Sequence, residues 1–208
     1  MKTILSGLLF IVITTISYGQ DYKKIANPAS CKKSIQEHHK STKSLSADFS
    51  EKIYSAMFDA PQKGSGKMYY KNAQKIRWEH IEPKKQVILI NGKSVRMSED
   101  GKEVSNATSK TVVKKIQNMM LQMLSGDFLN EKDFSIAYYE NTSNYKLTLT
   151  PKSDRMARYI ARVDLVFDKK ALVLKEMSMI EDENEKIVYT FTNVQLNGSI
   201  NETKFTKF

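Results

Sequence analysis

The stretch GKMYYKNAQKIRWEHIEPKKQVILINGKSVRM, residues 66 to 97, alternates apolar and charged side chains through one turn after another. A period of two suits strands with one buried and one solvated face, and it does not suit a helix. Met68 and Tyr70 alternate with Lys67, Tyr69 and Lys71, and Ile76, Trp78 and His80 alternate with Lys75, Arg77 and Glu79. Gln86 to Ile90 is an apolar run that includes Ile88. Asn91-Gly92 then signals a tight hairpin, Val95 and Met97 resume the alternation, and Asp100-Gly101 marks the next turn. Connections this short make the strands antiparallel.

The same pattern recurs along the chain. A strand from Ala47 carries Phe49, Ile53 and Met57 and ends at Asp59-Ala60-Pro61. Further on, strands are expected around Phe134 to Tyr138, Tyr145 to Leu149, Ala161 to Phe167, Leu172 to Met179, Ile187 to Phe191 and, last, Phe205. Two segments have helical spacing instead. One starts at Asn27-Pro28 and presents Cys31, Ile35, His38, Thr42 and Leu45. The other is capped by Asn106 to Ser109 and shows a broad apolar face of Val112, Val113, Ile116, Met119, Met120, Met123 and Leu124, ending near Gly126. The plan is α+β: a large curved antiparallel sheet of about eleven strands that forms an unclosed β-barrel covered by helices. An interior left unfilled becomes an apolar cavity, with the second helix over its mouth.

The N-terminus bounds where the chain works. Lys2, the apolar run Ile4 to Ile16 and the small residues Ser17 and Gly19 read as a secretory signal peptide, residues 1–19, cleaved before Gln20. The apolar run is shorter than the roughly 20 residues a membrane span needs. Residues 20–208 are expected to form a single domain outside the cytoplasm. The lone cysteine, Cys31, cannot form an internal disulfide, so the core must hold the fold. Its place on the apolar face of the first helix suits a buried thiol. The formal charge of +10 falls by one with the leader, and its lysines are spread along the chain as pairs such as Lys84-Lys85. That is a solvated basic surface rather than a nucleic-acid footprint, and no nucleic-acid partner is expected.

No residue pattern for bond-making chemistry appears. The three histidines, His38, His39 and His80, include no helical metal pair, because neighbours on a helix point about 100° apart. Nucleophile elbows, phosphate loops and zinc-protease motifs are missing. No enzyme, metal or cofactor is expected. The methionines, nine of them after Met1, suit a deformable apolar surface, above all Met119, Met120 and Met123 on the second helix.

Four segments together carry a family resemblance: SIQEHHKSTKSLSADFSEKI, GSGKMYYKN, IRWEHIEPKKQVILINGKSV and FTNVQLNGSINETKFTKF. With Arg77-Trp78, Pro83, Gln86 and Asn91-Gly92 in place, the chain resembles the LolA family of periplasmic lipoprotein carriers over nearly its whole mature length. The resemblance implies an unclosed β-barrel closed on one side by helices. It implies a monomer that takes triacylated lipoproteins, or another acylated ligand, from an inner-membrane ABC transporter to an outer-membrane acceptor. The family often latches strand to lid through an arginine just after the GSGKMYYK strand, where this chain carries Asn72 preceded by Lys71. The expected cavity lining is Met68, Tyr70, Ile76, Trp78, Ile88, Met97, Ile116, Met119, Met120 and Met123, with Lys71 and Arg77 as latch or partner contacts. Alternation puts Trp78 on the inner face and Arg77 on the outer one. The second reading keeps the fold and makes the chain a lipid-binding or lipoprotein-binding sensor.

Overall fold

A computed structural model describes residues 21–71, 74–104 and 126–208. In chain order the elements are β1 (Lys23–Lys24), α1 (Ala29–Ser41), β2 (Ser44–Tyr54), β3 (Gln62–Lys71), β4 (Lys75–Glu82), β5 (Gln86–Asn91), β6 (Ser94–Glu99) and β7 (Lys102–Glu103). After the 3-10 turn Asp127–Asn130 come β8 (Phe134–Glu140), β9 (Asn144–Pro151), the one-turn helix α2 (Asp154–Ala157), β10 (Arg162–Asp168), β11 (Leu174–Ile180) and β12 (Lys186–Leu196). The 3-10 turn Glu202–Phe205 completes the list.

All twelve strands join one antiparallel sheet in the order β1-β8-β9-β10-β11-β12-β2-β3-β4-β5-β6-β7. Two meanders, β2 to β7 and β8 to β12, each pair neighbour to neighbour, and one long-range seam between β12 and β2 fuses them. The edges do not meet, so the sheet stays open. It curls instead, because buried residues of both arms share one core cluster with Cys31 and Ile35 of α1. The two edge strands, β1 and β7, are only two residues each.

Local chemistry explains the boundaries. Asn27 Oδ1 accepts the Ala29 N–H at 3.2 Å and opens α1. The helix ends where the Thr42 N–H meets the His38 and His39 carbonyls, and the Thr42 hydroxyl donates to the His38 carbonyl at 2.8 Å. Between β6 and β7, Asp100 and Gly101 both take positive φ, 48° and 79°, as a two-residue hairpin of opposite-handed turn requires.

The expected sheet of about eleven strands is met by twelve among the described residues, and three other expectations need correction. Lys23–Lys24 is an edge strand with no apolar signal. The terminal segment around Phe205 forms a 3-10 turn, not a strand. Thr42 and Leu45 do not extend α1, since Thr42 caps it and Leu45 already lies in β2. Met57 lies beyond the end of β2 and is 83% exposed. The expected second helix, with Ile116, Met119, Met120 and Met123, lies outside the described residues.

Candidate functional site: the apolar inner face

Register sets up the inner face strand by strand. Ala47 pairs with Met68, Leu45 with Tyr70, Met68 with Trp78, Tyr70 with Ile76, Trp78 with Ile88, and Ile88 with Met97. Paired residues project from the same face, so six residues expected to line the interior lie side by side. Met68, Tyr70, Ile76, Trp78 and Ile88 are buried, and Met97 packs half-buried against them. The other arm contributes Leu147, Leu149, Val163, Leu165, Phe167 and Met177 to the same cluster.

Trp78, 3% exposed, is the centre of an aromatic group. Phe49 stacks on it at 4.5 Å with the planes 24° apart, and Tyr189 meets it edge-on at 5.1 Å. Phe191 approaches at 6.2 Å. Phe49 lies flat because Gly66 is beneath it: a Cβ there would come within 2.3 Å of Phe49 Cζ and 2.1 Å of the Glu79 carbonyl oxygen. Sequence reading had Phe49, Tyr189 and Phe191 as alternating strand residues but did not group them with Trp78. Their meeting depends on the β12–β2 seam.

Towards α1 the face opens into a cavity of about 50 Å³, lined by His38, His39, Leu45, Met68, Tyr70 and Phe191 among others. Ligand pockets usually measure roughly 300–1,000 Å³, so this cavity does not hold a lipid as it stands. Burial pushes the His38 imidazole below its ordinary pKa, which disfavours charge at this rim. Cys31 is buried as expected. Burial first, and then the charge of Glu140, lift its thiol pKa to about 11, so it is not a nucleophile at neutral pH.

The inner face also carries a polar point that the sequence reading overlooked. Glu51 of β2 is buried, with His80 Nε2 3.5 Å from its Oε1 and the Tyr189 hydroxyl hydrogen-bonded to it. Burial pushes the Glu51 carboxyl up, but the hydrogen bonds from His80 and Tyr189 and the attraction of His80 outweigh it and hold the carboxyl below its ordinary range. Burial likewise pushes the Tyr189 hydroxyl far up, so it remains a donor. The signal was legible in principle: Glu51 stands between Phe49 and Ile53 at spacings of two, an acid among inward positions.

Arg77 points to the outer face, as alternation requires, yet it is 6% exposed. Its Nη1 donates to the Lys207 carbonyl at 2.6 Å and the Lys204 carbonyl at 3.2 Å, and its Nε to Glu79 Oε2 at 2.7 Å. The guanidinium therefore meets the chain's own C-terminal segment instead of open solvent. Lys71 and Lys75 both pair with Glu202 of that segment, and Arg96 donates to the Thr206 carbonyl at 3.0 Å. Buried Phe205 fills the space below.

Among the described residues no cluster of three or more His, Cys, Asp or Glu side chains is placed to hold a metal ion. The arrangement suits binding of an apolar body, with one polar point.

Residues 40–207 match the family model described as outer membrane lipoprotein carrier protein LolA. The outer-membrane lipoprotein carrier protein of Pseudomonas putida (strain GB-1) is 26% identical over 166 residues, covering 79% of this chain and 77% of the relative. That of Glaesserella parasuis serovar 5 is 26% identical over 195 residues, covering 93% and 85%. Among solved structures, a LolA superfamily protein from Nitrosomonas europaea aligns over 85% of this chain and 97% of its own, with a TM-score of 0.43 and 15% identity. The family match runs from the last turn of α1 through every later strand to the C-terminal segment, and the chain therefore belongs to the LolA family of outer membrane lipoprotein carrier proteins.

Proposed function

We infer that this protein is a periplasmic carrier that shields the acyl chains of lipoproteins against its inner face and moves them from the inner to the outer membrane. The observation that carries the reading is the continuous apolar inner face of an unclosed sheet, fed by both arms, in a member of the LolA family. The leader, residues 1–19, directs export, and residues 20–208 act as one binding domain. Met68, Tyr70, Ile76, Trp78, Ile88 and Met97 hold the cargo together with Ile116, Met119, Met120 and Met123. An inner-membrane ABC transporter loads the carrier, and an outer-membrane acceptor unloads it.

The energetics suit a carrier. Each buried methylene of an acyl chain contributes about 0.8 kcal/mol, so a single chain supplies the drive to part side chains that touch only through apolar contacts. No catalytic group is needed for loading or release. Native mass spectrometry of the protein taken from its own periplasm tests the reading: a co-purifying acylated protein is expected. A free lipid in its place favours the sensor reading, and an empty protein that also fails to bind acylated peptides overturns the carrier.

A further inference from the structure

Three polar side chains interrupt the apolar inner face at one point, and the register explains how they meet. Tyr189 of β12 pairs with Glu51 of β2, while His80 of β4 pairs with Gly66 of β3, which pairs with Phe49. Glu51 is 7% exposed and takes hydrogen bonds from His80 and Tyr189. The other ring nitrogen, His80 Nδ1, is buried with no hydrogen-bond partner among the described residues. Phe49 stands edge-on to the imidazole at 5.2 Å and Trp78 lies 6.3 Å away. Buried polar atoms without a partner are few in folded proteins, and each one asks for an explanation.

The surroundings are built around this group. A Cβ at Gly64 would come within 2.8 Å of Glu51 Oε2, and one at Gly66 would strike Phe49. Two bare positions on β3 thus make room for the carboxylate and for the ring that flanks His80. Stability alone does not call for such a cluster, since well-packed apolar residues often hold a core as well as a buried charged pair.

Hydrogen-bond chemistry then selects the ligand. His80 Nε2 faces Glu51 Oε1 at 3.5 Å, so the singly protonated ring carries its proton there, and the Tyr189 hydroxyl also donates to Glu51. What remains is the Nδ1 lone pair, an acceptor facing an apolar surface. An ester offers it nothing to accept, whereas an amide offers an N–H. We propose that Glu51, His80 and Tyr189 form a polar anchor for the amide of an N-acylated ligand, whose N–H donates to His80 Nδ1 while its acyl chain lies along the inner face. This rests on the acyl-binding reading above and adds a preference for amide-linked over ester-linked or N-alkylated chains.

The test titrates the purified protein with N-palmitoylglycine methyl ester and with its N-methyl counterpart, which lacks only the N–H. Trp78, the single tryptophan, reports binding through its emission. The N–H compound is expected to bind about tenfold tighter, the usual scale of one buried hydrogen bond. The preference should disappear in His80→Phe and persist in part in His80→Gln, which keeps an acceptor. Equal affinity for the two compounds in the unaltered protein overturns the anchor and leaves the carrier reading standing. So does a preference that survives His80→Phe. Binding of neither compound overturns the carrier reading and the anchor with it. The unaltered protein decides the central question by itself, even where a variant fails to fold.

Discussion

Trp78 and its neighbour Arg77 are both almost fully buried, yet what covers them has nothing in common. Trp78 is enclosed by rings from distant strands, Phe49, Tyr189 and Phe191, through contacts that have shape but little direction. Arg77 is enclosed by main chain, through hydrogen bonds to the carbonyls of Lys204 and Lys207. Apolar contacts exchange readily for other apolar contacts, whereas a guanidinium whose Nη1 donates to two carbonyls and whose Nε donates to Glu79 has no equivalent substitute in a lipid. One face of the strand is therefore suited to open and the other to stay closed. The difference is a division of labour within β4, one residue apart.

The largest expected effect comes from the inner face. Trp78→Ala should lower the unfolding free energy by about 3–5 kcal/mol in urea denaturation, the range for deleting a large buried aromatic side chain. A loss under about 1 kcal/mol would mean that the inner face is not a packed core in the unloaded protein, and the comparison would collapse.

Arg77→Ala should cost about 2 kcal/mol through its charge-assisted hydrogen bonds. It should also speed amide hydrogen exchange across residues 202–208 while acyl-ligand binding stays intact. Arg77→Lys should restore only part, because an ammonium lacks the planar fork that reaches two carbonyls and Glu79 together. Unchanged exchange at the C-terminus would show that Phe205, Arg96 and the ion pairs of Glu202 hold the segment without Arg77.

Cargo affinity sharpens the inner side of the comparison. On the proposed function, Met120→Asp or Met123→Asp, both outside the described residues, should weaken acyl-peptide binding tenfold or more, since a carboxylate set against an acyl chain must be desolvated or neutralised. Lys114→Ala or Lys115→Ala, at a lysine pair of the same sequence segment, should change it by less than about twofold. Equal losses from both kinds of substitution would point to an electrostatic headgroup site.

Each face also carries a buried or half-buried carboxyl held low, which allows a pH test. Glu79 is held below its ordinary range first by the hydrogen bond from Arg77, and Glu51 by His80 and Tyr189 against the opposing pull of burial. A depressed folded-state pKa gives stability that is fully present above the ordinary glutamate value of about 4.3 and is lost as pH falls through the folded value. Glu51→Gln and Glu79→Gln should each flatten the acid limb of the stability curve, measured by denaturation at successive pH values. An acid limb unchanged by either variant would remove these two groups from the account. The smallest effect belongs to Met57, outside both faces: Met57→Ser should stay within about 0.5 kcal/mol of the parent protein.

Much of this was present in the alternation of the chain. A period of two fixes which residues share a face, so Met68, Tyr70, Ile76, Trp78, Ile88 and Met97 could be grouped from sequence, and Arg77 could be set opposite Trp78. Turn chemistry did the same for local pairing, as the positive φ values at Asp100 and Gly101 show. Alternation is silent, however, about what comes to cover each face. The contact of Phe49, Tyr189 and Phe191 with Trp78, and of Glu51 and Tyr189 with one another, follows from the β12–β2 pairing, which joins residues more than a hundred positions apart. No local pattern encodes such a register.

The C-terminal segment shows the same limit from the other side. A strand was expected around Phe205, although Phe205 and Phe208 stand three apart rather than two. In the fold its carbonyls are taken by Arg77 and Arg96, and the backbone turns so that Phe205 is buried under the segment. Strand propensity reflects the surface a segment packs on rather than a fixed backbone preference. The sequence by itself determined the sidedness of the strands and the places where the chain turns, because both depend on neighbours one to four residues away. Only the tertiary structure decided which buried side chains face apolar rings and which face main-chain oxygens, because that choice is made by segments that meet only once the sheet has curled.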